Sequence, residues 1–306
     1  MGSEAGPSQP NTMIGLELPD VDVWSDRVTV ALGQNPSLFT GPGTNTYLVG
    51  RGPERILLDP GQGMPAYLDV LEQALERSGC ERIQEIVLTH GHPDHMGGVD
   101  AVIERFGALT VKKMPWPGND EHYGYAIETI GDGSRVSTEG ATLRAVHTPG
   151  HAPDHLCFVL EEEDAIFSGD NVLGVGTTVI PHDSGSLSDY MASLRRLLEE
   201  PPGRIYPAHG PCITDGPAKI REYIAHRDAR EAQIVAALGA GPASVPEVVA
   251  RVYTDVPKVL HKAAELSVSS HLLKLRDEGR AASKGSDDAR KATWRLVGSE
   301  AGGAPR

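Results

Sequence analysis

Within the stretch VLTHGHPDHMGGVD, which begins at Val87, His90, His92, Asp94 and His95 place four titratable side chains in six residues. Such groups are poor material for a core and more than a surface loop needs. Imidazole and carboxylate together suit borderline divalent ions such as zinc. His90 and His92, one residue apart on an extended segment, can point the same way and share one ion. Asp94 and His95 fall beyond the turn, suited to a second ion, and the glycine pair behind them leaves room for a substrate. A metal site also draws ligands from distant segments, and three turns offer them. His151 follows a Pro-Gly pair in TPGHAPDH, Asp170 ends AIFSGD, and His209 lies in YPAHGP. His155, His182, His226, His261 and His271 are recommended by residue type alone and read as surface or helix-face histidines.

The elements that must carry these residues can be read from periodicity. NTYLVGRGPERILLDPG forms two strands around a Gly-Pro turn, Tyr47–Val49 and Ile56–Leu58, and closes on Asp59. HLCFVLEEEDAIFSGD has the same form and closes on Asp170. A helix with apolar residues at three-and-four spacing follows each hairpin, over 64–79 and 187–203. RIQEIVLTH is a further strand, and a helix begins in HMGGVDAVIERFG. Two similar halves mixing strands and helices predict an α+β chain folded as a four-layer αββα sandwich. Beyond Gly216 the texture changes. A long helix over 217–241, a helix at 244–253 with Ser244 and Glu247 in capping-box spacing, a helix ending at Gly279 and a strand in KATWRLV give a winged-helix outline.

The chain of 306 residues is 39% hydrophobic and 23% charged, enough to bury a core. Its three cysteines form no C-x-x-C pair, which points to a reducing compartment. No run reaches the ~20 apolar residues of a membrane span, so no membrane partner is expected. MGSEAGPSQPNTM lacks the basic start and apolar run of a secretory signal and the arginines of a transit peptide. A cytoplasmic protein is expected, with a disordered tail over 1–19 and a frayed one over 299–306. The net charge of −14 argues against loose adhesion to nucleic acid, yet from Val256 onward ten Lys/Arg face six Asp/Glu, a local +4. Lys274, Arg276 and Arg280 in that basic tail are candidate substrate contacts, as is His182 after TTVIP.

H-x-H-x-D-H followed by single His, Asp and His residues on later turns resembles the metallo-β-lactamase superfamily, whose fold is the αββα sandwich. The likeness runs from about Val28 to Gly210 and makes 20–216 a catalytic domain, followed by a winged-helix-like module over 217–298. Carried over residue by residue, it implies that His90, His92 and His151 hold a first zinc and that Asp94, His95 and His209 hold a second. Asp170 bridges the two. The implied cofactor is two Zn2+ per chain, with Mn2+ or Fe as alternatives. Asp59 matches the family's first-motif aspartate, which supports the ligand loop from behind. NPSLFTGPGTNTYLVG, TEGATLRAVHTPGHAPDH, AIFSGDNVLGVGTTV and AKIREYIAHRDAREAQI together resemble the lactamase-like protein 2 group, which carries a C-terminal winged helix.

Two zinc ions sharing a water lower its pKa from ~15.7 to about 7 and supply a nucleophile without Ser or Cys. Asp94 is the catalytic candidate, as acceptor of the water's proton through a carboxylate oxygen left unligated. Animal members of the resembled group are endoribonucleases, and the expected activity is cleavage of single-stranded RNA by attack of the metal-activated hydroxide. The matrix of mitochondria enters as a location by the same resemblance. The alternative is hydrolysis of a thioester substrate, as in fungal polyketide relatives with a similar Asn-Pro…Gly-Thr-Asn-Thr opening, or of another ester. Lactam hydrolysis is expected to be weak, because Cys157 and Cys212 lie off the motif.

Overall fold

The structure is a computed structural model that describes residues 13, 15–254, 258 and 261–298. Of the tails expected over 1–19 and 299–306, residues 1–12, 14 and 299–306 lie outside the described residues. The chain divides into two compact units. One is drawn chiefly from residues up to 220, the other from 221 onward together with 150–152 and 179–192.

The first half of the larger unit comprises β1 (Val21–Ser25), β2 (Val28–Leu32), β3 (Asn45–Val49), β4 (Glu54–Leu58), α1 (Tyr67–Ser78), β5 (Arg82–Val87), α2 (Pro93–Met96), α3 (Val99–Phe106), β6 (Val111–Lys113) and β7 (Ile127–Thr129). Its seven strands lie side by side in chain order. Pairing is antiparallel as far as β4 and parallel from β4 onward. The second half comprises β8 (Arg135–Thr138), β9 (Ala141–His147), β10 (Leu156–Leu160), β11 (Ala165–Gly169) and β12 (Arg204–Pro207), in the sheet order β12-β11-β10-β9-β8, with α4 (Leu187–Leu197) between β11 and β12, its residues up to 192 counted with the smaller unit. The repeat read from sequence is visible in the pairing. In each half an antiparallel hairpin, β3–β4 or β10–β11, is followed by a helix and then by a strand parallel to the hairpin's second member.

Period-2 burial decides which face of each strand meets which layer. Tyr47, Val49, Ile56 and Leu58 point between the sheets, against Leu143, Phe158, Phe167 and Tyr206 from the second sheet. The intervening Leu48 and Leu57 face the other way, onto Tyr67, Leu71 and Ala74 of α1 and Val99 and Val102 of α3. Both faces of β3 and β4 are therefore apolar, which is why each reads as an almost continuous hydrophobic run.

The helix expected after the glycines of HMGGVDAVIERFG forms as α3, and the short α2 precedes it across Gly97 and Gly98. Glycine is required at 98, where a β-carbon would sit 2.2 Å from the carbonyl oxygen of Pro60. That close approach pins the ligand loop against the residue following Asp59.

In the smaller unit come α5 (Gly216–Gly239), β13 (Ala243–Ser244), α6 (Val245–Val252), α7 (His261–Asp277), β14 (Ala281–Lys284) and β15 (Thr293–Leu296). Ser244 and Glu247 make the capping box that their spacing predicts. The sequence pattern predicts one strand here. The structure has three, in the order β13-β15-β14, forming the wing. Val245, Val248, Val268, Leu272, Leu275 and the fully buried Trp294 make the core of this unit. Among the described residues no helix is long and apolar enough to cross a membrane.

Candidate metal centre

Every sequence-predicted ligand lies at the end of a strand or on the turn that follows it. His90, His92, Asp94 and His95 come after β5, His151 lies between β9 and β10, Asp170 follows β11, and His209 follows β12. Strand ends are rigid, so these side chains are held in place before any ion arrives.

Asp94, His95, Asp170 and His209 each offer one ligand atom, all within 4.8 Å of one another. The Nε2 of His209 lies 3.1 Å from Asp170 Oδ1 and 3.3 Å from Asp94 Oδ2. The Nε2 of His95 lies 3.4 Å from Asp170 and 3.5 Å from Asp94. Nε2 of His95 is buried and makes no hydrogen bond among the described residues. An orphaned ring nitrogen facing two carboxylates fits a divalent ion, and the mixed nitrogen and oxygen donors suit zinc or a similar metal.

Electrostatics support the same reading. Burial works against the charged imidazoles, but Asp94, Asp170 and Asp59 outweigh it and hold His95 well above the usual histidine range. Burial is outweighed at His209 too, where Asp170 and Asp94 lift its pKa to about 9. Burial would raise Asp94 and Asp170, yet the same two histidines hold both carboxylates below the usual range. Two protonated imidazoles thus balance two carboxylates, and a bound dication replaces protons charge for charge.

His90, His92 and His151 form a second group whose ligand atoms also lie within 4.8 Å of one another. His90 Nε2 and His92 Nδ1 are 3.0 Å apart, close to the spacing of neighbours around one ion at ~2.0–2.1 Å from each. Thr89 Oγ1 lies 3.0 Å from His90 Nδ1, and the carbonyl of Val179 lies 2.7 Å from His151 Nδ1, so each ring is held by its other nitrogen. The rings of His90 and His95 are 4.1 Å apart, which makes the two groups neighbours.

Asp59 supports the loop from behind. Its carboxylate accepts from the Thr89 amide at 2.8 Å and the Thr89 hydroxyl at 2.7 Å, and lies 2.9 Å from His95 Nδ1. Its backbone takes the left-handed conformation, φ 54°. A carboxylate so placed holds the His95 ring by Nδ1 and leaves Nε2 facing Asp94 and Asp170. Asp59→Asn should therefore leave the chain folded and weaken zinc binding ~10–100-fold in competition with a chromophoric chelator. Unchanged affinity would remove Asp59 from this role.

Two histidines depart from the sequence reading. His271 is buried in the smaller unit rather than exposed on a helix face. His155, expected at the surface, is fully buried behind the ligands. Its Nε2 accepts the Asp170 amide at 3.1 Å, its Nδ1 lies 3.0 Å from Thr148 Oγ1, and its ring is 4.9 Å from that of His90. A β-carbon on Gly169 would meet His155 Nε2 at 2.6 Å, so glycine is required before Asp170. The signal was present in TPGHAPDH, where His155 directly precedes a strand. Asn45 was also missed. Its side-chain amide donates to the carbonyls of Pro207 and Gly210, both at 2.8 Å, and so brackets His209.

The four candidate substrate contacts lie in the smaller unit, and three are already committed to carboxylates. Lys274 Nζ is 2.6 Å from Glu231 and 2.7 Å from Glu278, Arg280 pairs with the same two residues, and Arg276 lies 3.2 Å from Asp277. The positive charge read from the sequence is largely neutralised within the unit. Cys157 is fully buried, with its thiol pushed up to about 12 by burial, and takes no part in the centre.

Comparison with known proteins places these features together. The family model described as Metallo-beta-lactamase superfamily matches residues 39–209, and that described as Beta-lactamase associated winged helix domain matches 244–294. The chain is 39% identical to "Lactamase-like protein adaB" of Aspergillus niger, over 94% of this chain and 92% of the other. It is 42% identical to "Atrochrysone carboxyl ACP thioesterase" of Aspergillus chevalieri, over 92% of this chain and 90% of the other. Among solved structures, a metallo-beta-lactamase family protein of Thermus thermophilus superposes with a TM-score of 0.68 at 25% identity, covering 83% of this chain and 94% of the other. A beta-lactamase domain protein of Burkholderia ambifaria reaches 0.79 at 20% identity, over 92% and 96%, and shares the fold.

Proposed function

The chain belongs to the metallo-beta-lactamase superfamily, and on that premise we propose that it is a two-zinc thioesterase that releases acyl groups from a carrier-bound thioester. The observation that carries this reading is the 42% identity, over 92% of the chain, to a protein named as an acyl-carrier-protein thioesterase. The sequence-based expectation of RNA cleavage yields to its own alternative. The relatives' names point to thioesters, and Lys274 and Arg280 share Glu231 and Glu278 rather than forming a continuous track of free cations for a nucleic-acid backbone.

In this proposal His90, His92 and His151 would hold one ion, and Asp94, His95, Asp170 and His209 would hold the other. Two bound ions supply a water-derived nucleophile at neutral pH and stabilise negative charge growing on the thioester carbonyl oxygen. The side chain of Asp94 is 23% exposed, against 11% for Asp170 and 2% for His209, so Asp94 is the carboxylate with access to the substrate side. It accepts the proton of the attacking water. Addition of that oxygen to the carbonyl and cleavage of the C–S bond give a carboxylic acid and a thiol. A thiol ionises near pH ~8.5, so a thiolate leaves without a strong general acid, and no further histidine such as His182 is needed as a proton donor. Release of free thiol from a carrier-bound acyl thioester, dependent on metal, tests the proposal.

A further inference from the structure

The smaller unit contains a cavity of about 220 Å³ that the hydrolytic chemistry does not use. Its wall comes from two segments far apart in sequence. His182, Ser186 and Ser188 come from the approach to α4 and its first turn, and Ser270, Lys274, Arg276 and the acidic Asp277 from the C-terminal half of α7. The two are fastened together by Ser270 Oγ, which donates to the carbonyl of Ile180 at 2.8 Å. The same loop holds the turn that carries His151. The Ser186 amide donates to the Gly150 carbonyl at 2.8 Å, and the Val179 carbonyl lies 2.7 Å from His151 Nδ1. Three of the four candidate contacts picked from sequence thus line one cavity, on a loop that orients a metal-site histidine.

The lining is suited to a single anionic group. Arg276 has a side chain 44% exposed, and its partner Asp277 is 63% exposed, a pairing that solvent screens and an incoming dianion can displace. Lys274 uses two of its three donors on Glu231 and Glu278. An imidazole and two serine hydroxyls complete the set. A guanidinium, an imidazole and hydroxyls on one wall, with Lys274 beside them, offer donors of the kind that the several acceptor oxygens of a phosphate take. At about 30 Å³ per water, the space equals roughly seven waters, enough for one phosphate and the start of its substituent. A nucleic-acid strand would need a track of cations, and the next one along, Arg280, is held by Glu231 and Glu278.

We propose that this cavity binds the phosphate of a phosphopantetheine arm, the group from which carrier-bound and coenzyme A thioesters hang. The inference rests on the thioesterase reading and names how its substrate is gripped away from the reacting carbonyl. It is tested by titrating the metal-loaded full chain with 4′-phosphopantetheine and with pantetheine. The phosphorylated compound should bind about tenfold more tightly, equivalent to about 1.4 kcal/mol, with an advantage that shrinks as salt rises. Arg276→Gln and His182→Gln should each reduce that advantage, and the double variant should remove it. Both positions are solvent-accessible, so the fold survives the changes. Equal affinity for the two compounds, or an undiminished advantage in the double variant, overturns the proposal. Phosphate-dependent binding without any thioester hydrolysis supports the cavity and overturns the thioesterase reading alone.

Discussion

Replacing Asp170 with alanine is expected to abolish turnover while leaving the protein folded. The carboxylate is the one predicted to reach both ions, and it lies 3.1 Å from His209 Nε2 and 3.4 Å from His95 Nε2. Losing it should cost more than the ~100-fold at the upper end for an outer partner. Metal analysis should show fewer than two ions retained per chain. The fold should persist because Asp170 contributes its amide, not its carboxylate, to the bond with His155, and that bond remains in the variant. Far-UV circular dichroism matching the parent, together with lost activity, is the expected pair of results. Collapse of the spectrum would make Asp170 a structural residue.

Lys113→Met should produce the largest loss of stability. The Lys113 ammonium is fully buried, 2.6 Å from Asp120 and 2.7 Å from the equally buried Asp154. Burial already pushes the Asp154 carboxyl up, and Lys113 is what offsets it. Removing the lysine leaves a carboxylate in the interior with no counter-charge, a change that costs about 3–5 kcal/mol. The damage should extend to the metal loop, because Asn119, adjacent to Asp120, donates to the Gly91 carbonyl at 2.9 Å. Urea unfolding measures it. Lys113→Met with Asp154→Leu should recover most of the loss, since an apolar pair of similar volume often replaces a buried ion pair at little cost. A single variant within ~0.5 kcal/mol of the parent, the ordinary range for surface changes, would contradict this account of the pair.

What the sequence disclosed follows from how local each signal is. The ligands were legible because a metal demands particular side chains at strand ends, and His90-x-His92-x-Asp94-His95 places four of them within six residues. The hairpins closing on Asp59 and Asp170 were legible as short apolar runs on either side of turn residues. The capping box at Ser244 and Glu247 depends on four consecutive residues and formed as its spacing predicts. Contacts made across the chain left no such trace. Lys113 reads as one of two lysines in a short strand, and only folding brings it to Asp154, forty-one residues on. His155 was discounted because residue type alone cannot separate a surface imidazole from one packed on Gly169 and His90. The basic tail misled for a related reason. Net charge counts cations without showing that Glu231, in α5, neutralises Lys274 and Arg280.

The central claim is a metal-dependent attack on a thioester, and free-thiol release addresses it most directly. The zinc-loaded protein is mixed with an acyl group borne on a carrier protein, and liberated thiol is followed by a colorimetric reagent. A parallel sample of the same preparation receives single-stranded RNA. The account predicts thiol release in step with free acid, lost on chelation and regained with zinc, while the RNA stays full length. Intact thioester beside chelator-sensitive RNA fragments would contradict it.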